Sequence, residues 1–183
     1  MWKGEEVATI QENTAGKIRD LPIKAALREV LLAAADSAGI EVVRVTSGGQ
    51  CAKGTCTKRT GSTRHDLGNA ADLMLLVGGQ PLDFTKPTGQ QKFAQFVTAA
   101  CQAGATGVGA GVDYMGPLTV HIGFGTRAVW GAGGAAANAP QWIVDAALAG
   151  WQSVLNFDEL ESLRTQNSDE DEFEEDELTK TGT

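Results

Sequence analysis

The apolar residues of this chain change their period several times, and glycine stands at most of the changes. Across residues 22–37 they fall at Ile23, Leu27, Val30, Leu31 and Ala34, the spacing of one helix face. Gly39 closes that run, and residues 40–46 then alternate with β-branched side chains, the pattern of a strand. Residues 70–77 alternate again and end at a Gly78-Gly79 turn. A second helical run opens at Thr88 or Gly89, passes through Phe93, Phe96, Val97, Ala100 and Cys101, and closes at Gly104. Residues 118–124 read as a further strand and residues 140–148 as a short helix, which residues 151–163 either continue or follow with another. The pattern predicts an α+β domain, a small antiparallel sheet flanked by helices.

Between these elements lies a Gly-, Lys- and Thr-rich stretch, residues 47–63, whose 17 residues exceed an ordinary connection and mark a functional loop. Residues 1–20 are polar and read as an irregular arm, with Asp20 placed to cap the first helix and Pro22 in its first turn. The formal charge of −8 is unevenly spread: residues 158–183 hold 11 acidic and 2 basic side chains, residues 1–157 hold 12 and 13. The organisation expected is therefore an arm (1–20), a nearly neutral domain (21–157) and an acidic tail (158–183), a solubiliser or a docking strip for a basic partner. Neither part carries the basic stripe of a nucleic-acid binder. No apolar run reaches the ~18–20 residues of a membrane span, and the first residues show no basic-then-apolar signal-peptide pattern. Cys51 and Cys56 flank a short polar loop without a second cysteine pair to complete a zinc site; they suit either a small surface disulfide or two free thiols.

The chain has two histidines, and each sits in one of the two most informative segments. On the strand after Gly68, Asp72 shares a face with Ala70 and Met74; on the later strand, His121 shares a face with Thr119 and Gly123. If these strands are neighbours, Asp72 and His121 project into one cleft, and His65, just before the turn at Gly68, can fold over it. Two imidazoles and a carboxylate make a catalytic-type zinc site, with a fourth position open to water. The ordinary alternatives stand beside this reading: a lone histidine is more often a hydrogen-bonded polar residue, and Asp72 would equally suit Arg64 or a turn amide.

HDLGNAAD, residues 65–72, resembles the HxxGxAxD motif of the D-alanyl-D-alanine carboxypeptidase family of zinc peptidases. That family includes phage L-alanyl-D-glutamate endopeptidases and shares its fold with the hedgehog signalling domain. VTSGGQ (45–50) resembles the family's Ser-Gly-Tyr-Arg strand end, and GVGAGVDYMGPLTVHIGFG resembles the glycine-rich hairpin that carries the last histidine ligand. Trp130-Gly131 and ANAPQW (137–142) look like a phage-associated branch, and the likeness spans roughly residues 22–142. It implies a hedgehog/DD-peptidase-like fold, zinc held by His65, Asp72 and His121, and cleavage of peptidoglycan stem-peptide amides by a phage lysin or virion-borne hydrolase. Such a protein would act from the virion, or from the host cytoplasm after release to the wall, with virion proteins as partners.

Two departures from the family pattern bear on activity. The acid usually found three residues before the last histidine, which serves as general base, is Leu118 here; Asp113, eight residues before His121, becomes the candidate base. The arginine that follows Ser-Gly in the family is Gln50 here, so a substrate-carboxylate contact falls to Arg64. A rival reading follows: a virion structural or wall-binding protein that keeps the zinc scaffold without turnover. Trp130, Trp142 and Trp151 suit a glycan groove or, more in keeping with their spacing, packing anchors. GVGAG (107–111) lacks the Gly-Lys-Ser/Thr of a phosphate loop and fits close backbone packing near the site instead.

Overall fold

The alternating segment at residues 70–77 becomes the central strand of the sheet. In the computed structural model of this chain, residues 7–154 are described. The chain divides into two units, Met1–Trp151 and Gln152–Thr183; the first carries the fold below, and all but residues 152–154 of the second lies outside the described residues, as does the predicted acidic tail (158–183).

In chain order the elements are β1 (Thr9–Glu12), α1 (Ala25–Ala38), β2 (Val42–Ser47), β3 (Ala70–Val77), β4 (Gln80–Pro81), α2 (Pro87–Gln102), β5 (Gly107–Gly109), α3 (Val112–Met115), β6 (Thr119–Gly123), β7 (Ala128–Trp130) and α4 (Gln141–Gln152). Short 3-10 turns at Thr63–His65, Ala132–Gly134 and Ala136–Asn138 shape the connections. The sheet runs β1-β2-β3-β6-β5-β7, with β4 paired to the outer end of β3.

The α+β class holds, but the sheet is mixed rather than antiparallel. β2, β3, β6 and β5 pair antiparallel, whereas β1 lies parallel to β2 and β7 parallel to β5. Both parallel strands are edge pieces of three or four residues, TIQE and AVW, too short to show a period of two. Pairing with a formed neighbour, not local pattern, makes them strands. Thr9–Glu12 thus orders part of the polar arm.

The first helix begins at Ala25, and Asp20 does not cap it: Lys24 occupies the cap position, and Asp20 pairs with Lys58 at 2.6 Å. The reason lies in the residues before the helix. Leu21 N–H donates to the Gly49 carbonyl and Lys24 N–H to the Gly68 carbonyl, both at 3.0 Å, so residues 21–24 are held extended against two loops. Gly39 closes α1 in the left-handed conformation, as its place in the pattern predicts.

Strand pairing sorts the side chains into two faces. Val43, Val45, Ala71, Leu73, Leu75, Val108, Val120 and Ile122 share one face and are fully buried. With Leu27 and Leu31 of α1 and Phe93, Phe96 and Val97 of α2, also fully buried, they make the core. Trp142 packs against Phe84 and Phe93, and Trp151 is buried with its indole N–H donated to the Ala105 carbonyl at 2.8 Å. These two tryptophans are packing anchors. Among the described residues, no helix is long and apolar enough to cross a membrane.

Candidate metal centre

The opposite face of the sheet carries one row of chemistry. Asp72 on β3 pairs in register with His121 on β6, His121 with Gly109 on β5, and Gly109 with Trp130 on β7. A glycine is required in that row: a Cβ at Gly109 would stand 2.6 Å from the Trp130 indole. The bare backbone lets the indole settle across β5, its ring 4.9 Å from that of His121. Gly107, one pleat away, leaves the same kind of room for the Arg64 guanidinium. The glycine-rich stretch therefore serves close packing at the site, as its sequence suggested.

His65 reaches this row from the 3-10 turn Thr63–His65. Its ring is buried and lies edge-on to His121, centroids 4.9 Å apart. His65 Nδ1 is 2.8 Å from the Gly48 carbonyl oxygen, which can only accept, so Nδ1 carries the proton. Nε2 then turns its lone pair toward Asp72 Oδ1 at 3.5 Å. His121 Nδ1 is 2.9 Å from the same oxygen. A lone pair and a carboxylate oxygen facing each other repel unless a cation lies between them. The donor set fits such a cation: His65, Asp72 and His121 each offer a ligand atom within 4.8 Å of the others. Tetrahedral zinc with bonds of ~2.0–2.1 Å brings its donors to roughly 3.3 Å apart, so the widest-spaced of these atoms would have to close in on binding. The centre read from the sequence is thus brought together by the fold, and it could hold a metal ion.

Electrostatics favour the ligating forms. Burial alone would raise the Asp72 carboxyl, but the hydrogen bond from His121 and the closeness of both imidazoles outweigh it and hold it well below the usual carboxylate range. Burial lowers the His121 imidazole by more than Asp72 raises it, so the neutral ring is preferred. Both shifts act in one direction on stability. His121 is folded in its neutral form, so stability is lost as pH falls below the ordinary imidazole value of about 6.5. Asp72 is folded in its ionised form, so a further loss begins as pH falls below about 3.9. We expect the melting temperature of chelator-treated protein to decline steadily from pH 7 to pH 3; a flat profile would contradict this account of the two groups.

Around these three side chains lies an open cleft of about 290 Å³, lined in part by Arg19, Ser62, Arg64, Tyr114 and Trp130. Arg19 Nη1 stands 3.5 Å from Asp72 Oδ2 and orients the carboxylate from outside. Sequence reasoning missed Arg19: it lies 53 residues from its partner in a polar arm with no local pattern. Arg64 is not the partner of Asp72. Its guanidinium stacks on the Trp130 ring, 4.6 Å from the centroid, donates one bond to the Thr126 carbonyl at 2.9 Å, and keeps a buried Nη1 without a hydrogen-bond partner among the described residues. Asp113 is exposed on α3 and does not line the cleft; its neighbour Tyr114 does.

Gln50 and Asp66 belong to the supporting loop. The Gln50 amide donates to Asp66 Oδ1 at 2.9 Å and to the Ser62 carbonyl at 3.0 Å, while Arg59 grips both Asp66 oxygens at 2.7 and 3.0 Å. Backbone bonds from Gln50 N to the His65 carbonyl and from Leu67 N to the Gln50 carbonyl tie this loop to the turn that presents His65. Cys51 and Cys56, within the same loop, are joined as a disulfide. Compared with known proteins, the chain matches no protein-family model, no curated protein and no solved structure.

Proposed function

We propose that this chain is a zinc-dependent peptidase that cleaves amide bonds in the stem peptide of peptidoglycan, with a hedgehog/DD-peptidase-like fold and a place in a phage lysin or virion. The observation that carries the reading is the meeting of two buried imidazoles on one carboxylate oxygen at the floor of an open cleft. Two nitrogen donors and one oxygen donor, with space on the fourth side, are the composition of a hydrolytic zinc site rather than a closed structural one. A zinc ion held there supplies Lewis acidity to a peptide carbonyl and brings the acidity of water near neutrality. The protein's own groups hold and orient. His65 is locked in one tautomer by Gly48, Arg19 fixes the carboxylate, and the cleft walls orient the substrate. Arg64, which lines the cleft stacked on Trp130, is the candidate contact for a carboxylate of the stem peptide.

One observation favours the rival, a virion structural or wall-binding protein without turnover. Asp72 is the only carboxylate among the described residues that line the cleft, and Leu118 stands where a base is expected. A missing base costs typically ~10²–10⁴-fold in rate.

The test uses the full chain loaded with zinc, elemental analysis, and mass analysis of digested muropeptides. The first reading expects one equivalent of zinc and stem-peptide cleavage that a chelator stops and added zinc restores. One equivalent of zinc without cleavage would select the rival, and failure to take up metal would end both.

A further inference from the structure

Among the described residues the cleft has no second carboxylate but holds a phenol. Tyr114, on α3, lines it together with His65, Asp72 and His121. The residue is 40% exposed. Its direction of donation is fixed by a neighbour: Trp130 Nε1–H, which can only donate, points to the Tyr114 oxygen at 3.2 Å. The phenol oxygen therefore accepts from the indole and keeps its own O–H to donate elsewhere. Trp130 is itself held firmly, 7% exposed, across bare Gly109 and against the His121 ring.

We propose that Tyr114 is a catalytic residue of this site, donating its O–H to the oxyanion that forms when the amide carbonyl is attacked; this rests on the hydrolase reading above. In that step the oxygen of water adds to the carbonyl carbon and the carbonyl electron pair moves onto oxygen. The C–N bond then breaks, the carboxylate is released, and both protons of the water end on the leaving amine. Tyr114 stabilises the negative oxygen through a hydrogen bond and gives up no proton, so it needs no shifted acidity. The indole N–H behind it strengthens the donor, because a hydroxyl that accepts one bond donates a stronger one. Trp130 is accordingly a positioning residue.

The experiment compares wild type, Tyr114→Phe and Trp130→Phe, each loaded with zinc or with cobalt(II). Two quantities are read: kcat and KM on purified muropeptides, and affinity for a phosphinic dipeptide, a tetrahedral anion mimic, followed by the cobalt visible spectrum. Tyr114→Phe keeps the ring and should bind one equivalent of metal. Its kcat is expected to fall ~10²–10³-fold with KM little changed, the usual cost of one oxyanion donor. Its phosphinate affinity should fall at least tenfold, and Trp130→Phe should give a smaller loss of the same kind. Equal phosphinate affinity in wild type and Tyr114→Phe, whether strong or absent, would overturn the proposal whatever the turnover. Loss of phosphinate affinity with no muropeptide cleavage by any form would remove the assigned substrate and leave the hydroxyl's role standing.

Discussion

Replacing Asp72 by asparagine is expected to lower zinc affinity by more than ~10²-fold, beyond what changes outside the ligand shell cost. The substitution is nearly isosteric, so the loss is electrostatic. Asp72 Oδ1 is the oxygen on which His65 Nε2 and His121 Nδ1 converge, at 3.5 and 2.9 Å. An amide places either a neutral oxygen or an N–H donor at that point, and the donor orientation would occupy the lone pairs the metal needs. Arg19, 3.5 Å from Oδ2 and largely buried, would lose its ion-pair partner. Competition against a chromophoric chelator measures the change directly. Zinc held by Asp72→Asn within tenfold of wild type would mean that the carboxylate is not a ligand. His121→Ala should abolish stoichiometric metal in the same assay, because it removes one of the two imidazole donors.

Gly68→Ala should destabilise the fold by about 2–5 kcal/mol, for two separable reasons. The residue sits at φ +75°, where a Cβ costs about 1–2 kcal/mol. A Cβ there would also lie 2.6 Å from the Pro22 carbonyl oxygen and 2.8 Å from Lys24 N, rigid backbone on both counts. Forcing atoms into such packing costs about 1–3 kcal/mol more. The contact matters for the site because Gly68 stands between His65 and Asp72 and its carbonyl anchors Lys24 N–H. Gly78→Ala is the control: φ is +58°, but nothing lies within 4 Å of its Cβ, so only the conformational cost applies. Denaturant unfolding of the two variants separates the causes. Equal losses at both positions would show that the close approach to residues 22–24 contributes nothing.

The sequence made legible what is decided locally. Residues 70–77 become β3 with the predicted bounds, and the second helical run becomes α2, because a clear period and closing glycines leave few alternatives. The three side chains of the candidate centre could be read for a related reason: two histidines in the whole chain, each on or beside an alternating segment whose pleat fixes its face. Features set by distant partners were not legible. Asp20 has the chemistry of a helix cap but is taken by Lys58, and the backbone of residues 21–24 is claimed by Gly49 and Gly68. The strands Thr9–Glu12 and Ala128–Trp130 exist because a neighbouring edge was free to pair. Arg19 and Tyr114 reach the cleft from a polar arm and a four-residue helix, neither of which carries a pattern. Asp113, chosen for its place on the hairpin, lies on that same helix, exposed and outside the cleft lining.

The row Asp72–His121–Gly109–Trp130 crosses four strands at one level. Sliding β6 by a single residue against β3 would send His121 into the oily interior and Ile122 into the cleft. An ion could therefore be coordinated here only after the hydrogen-bond ladder has been zipped in step, and metal uptake during refolding would then count the correctly aligned molecules.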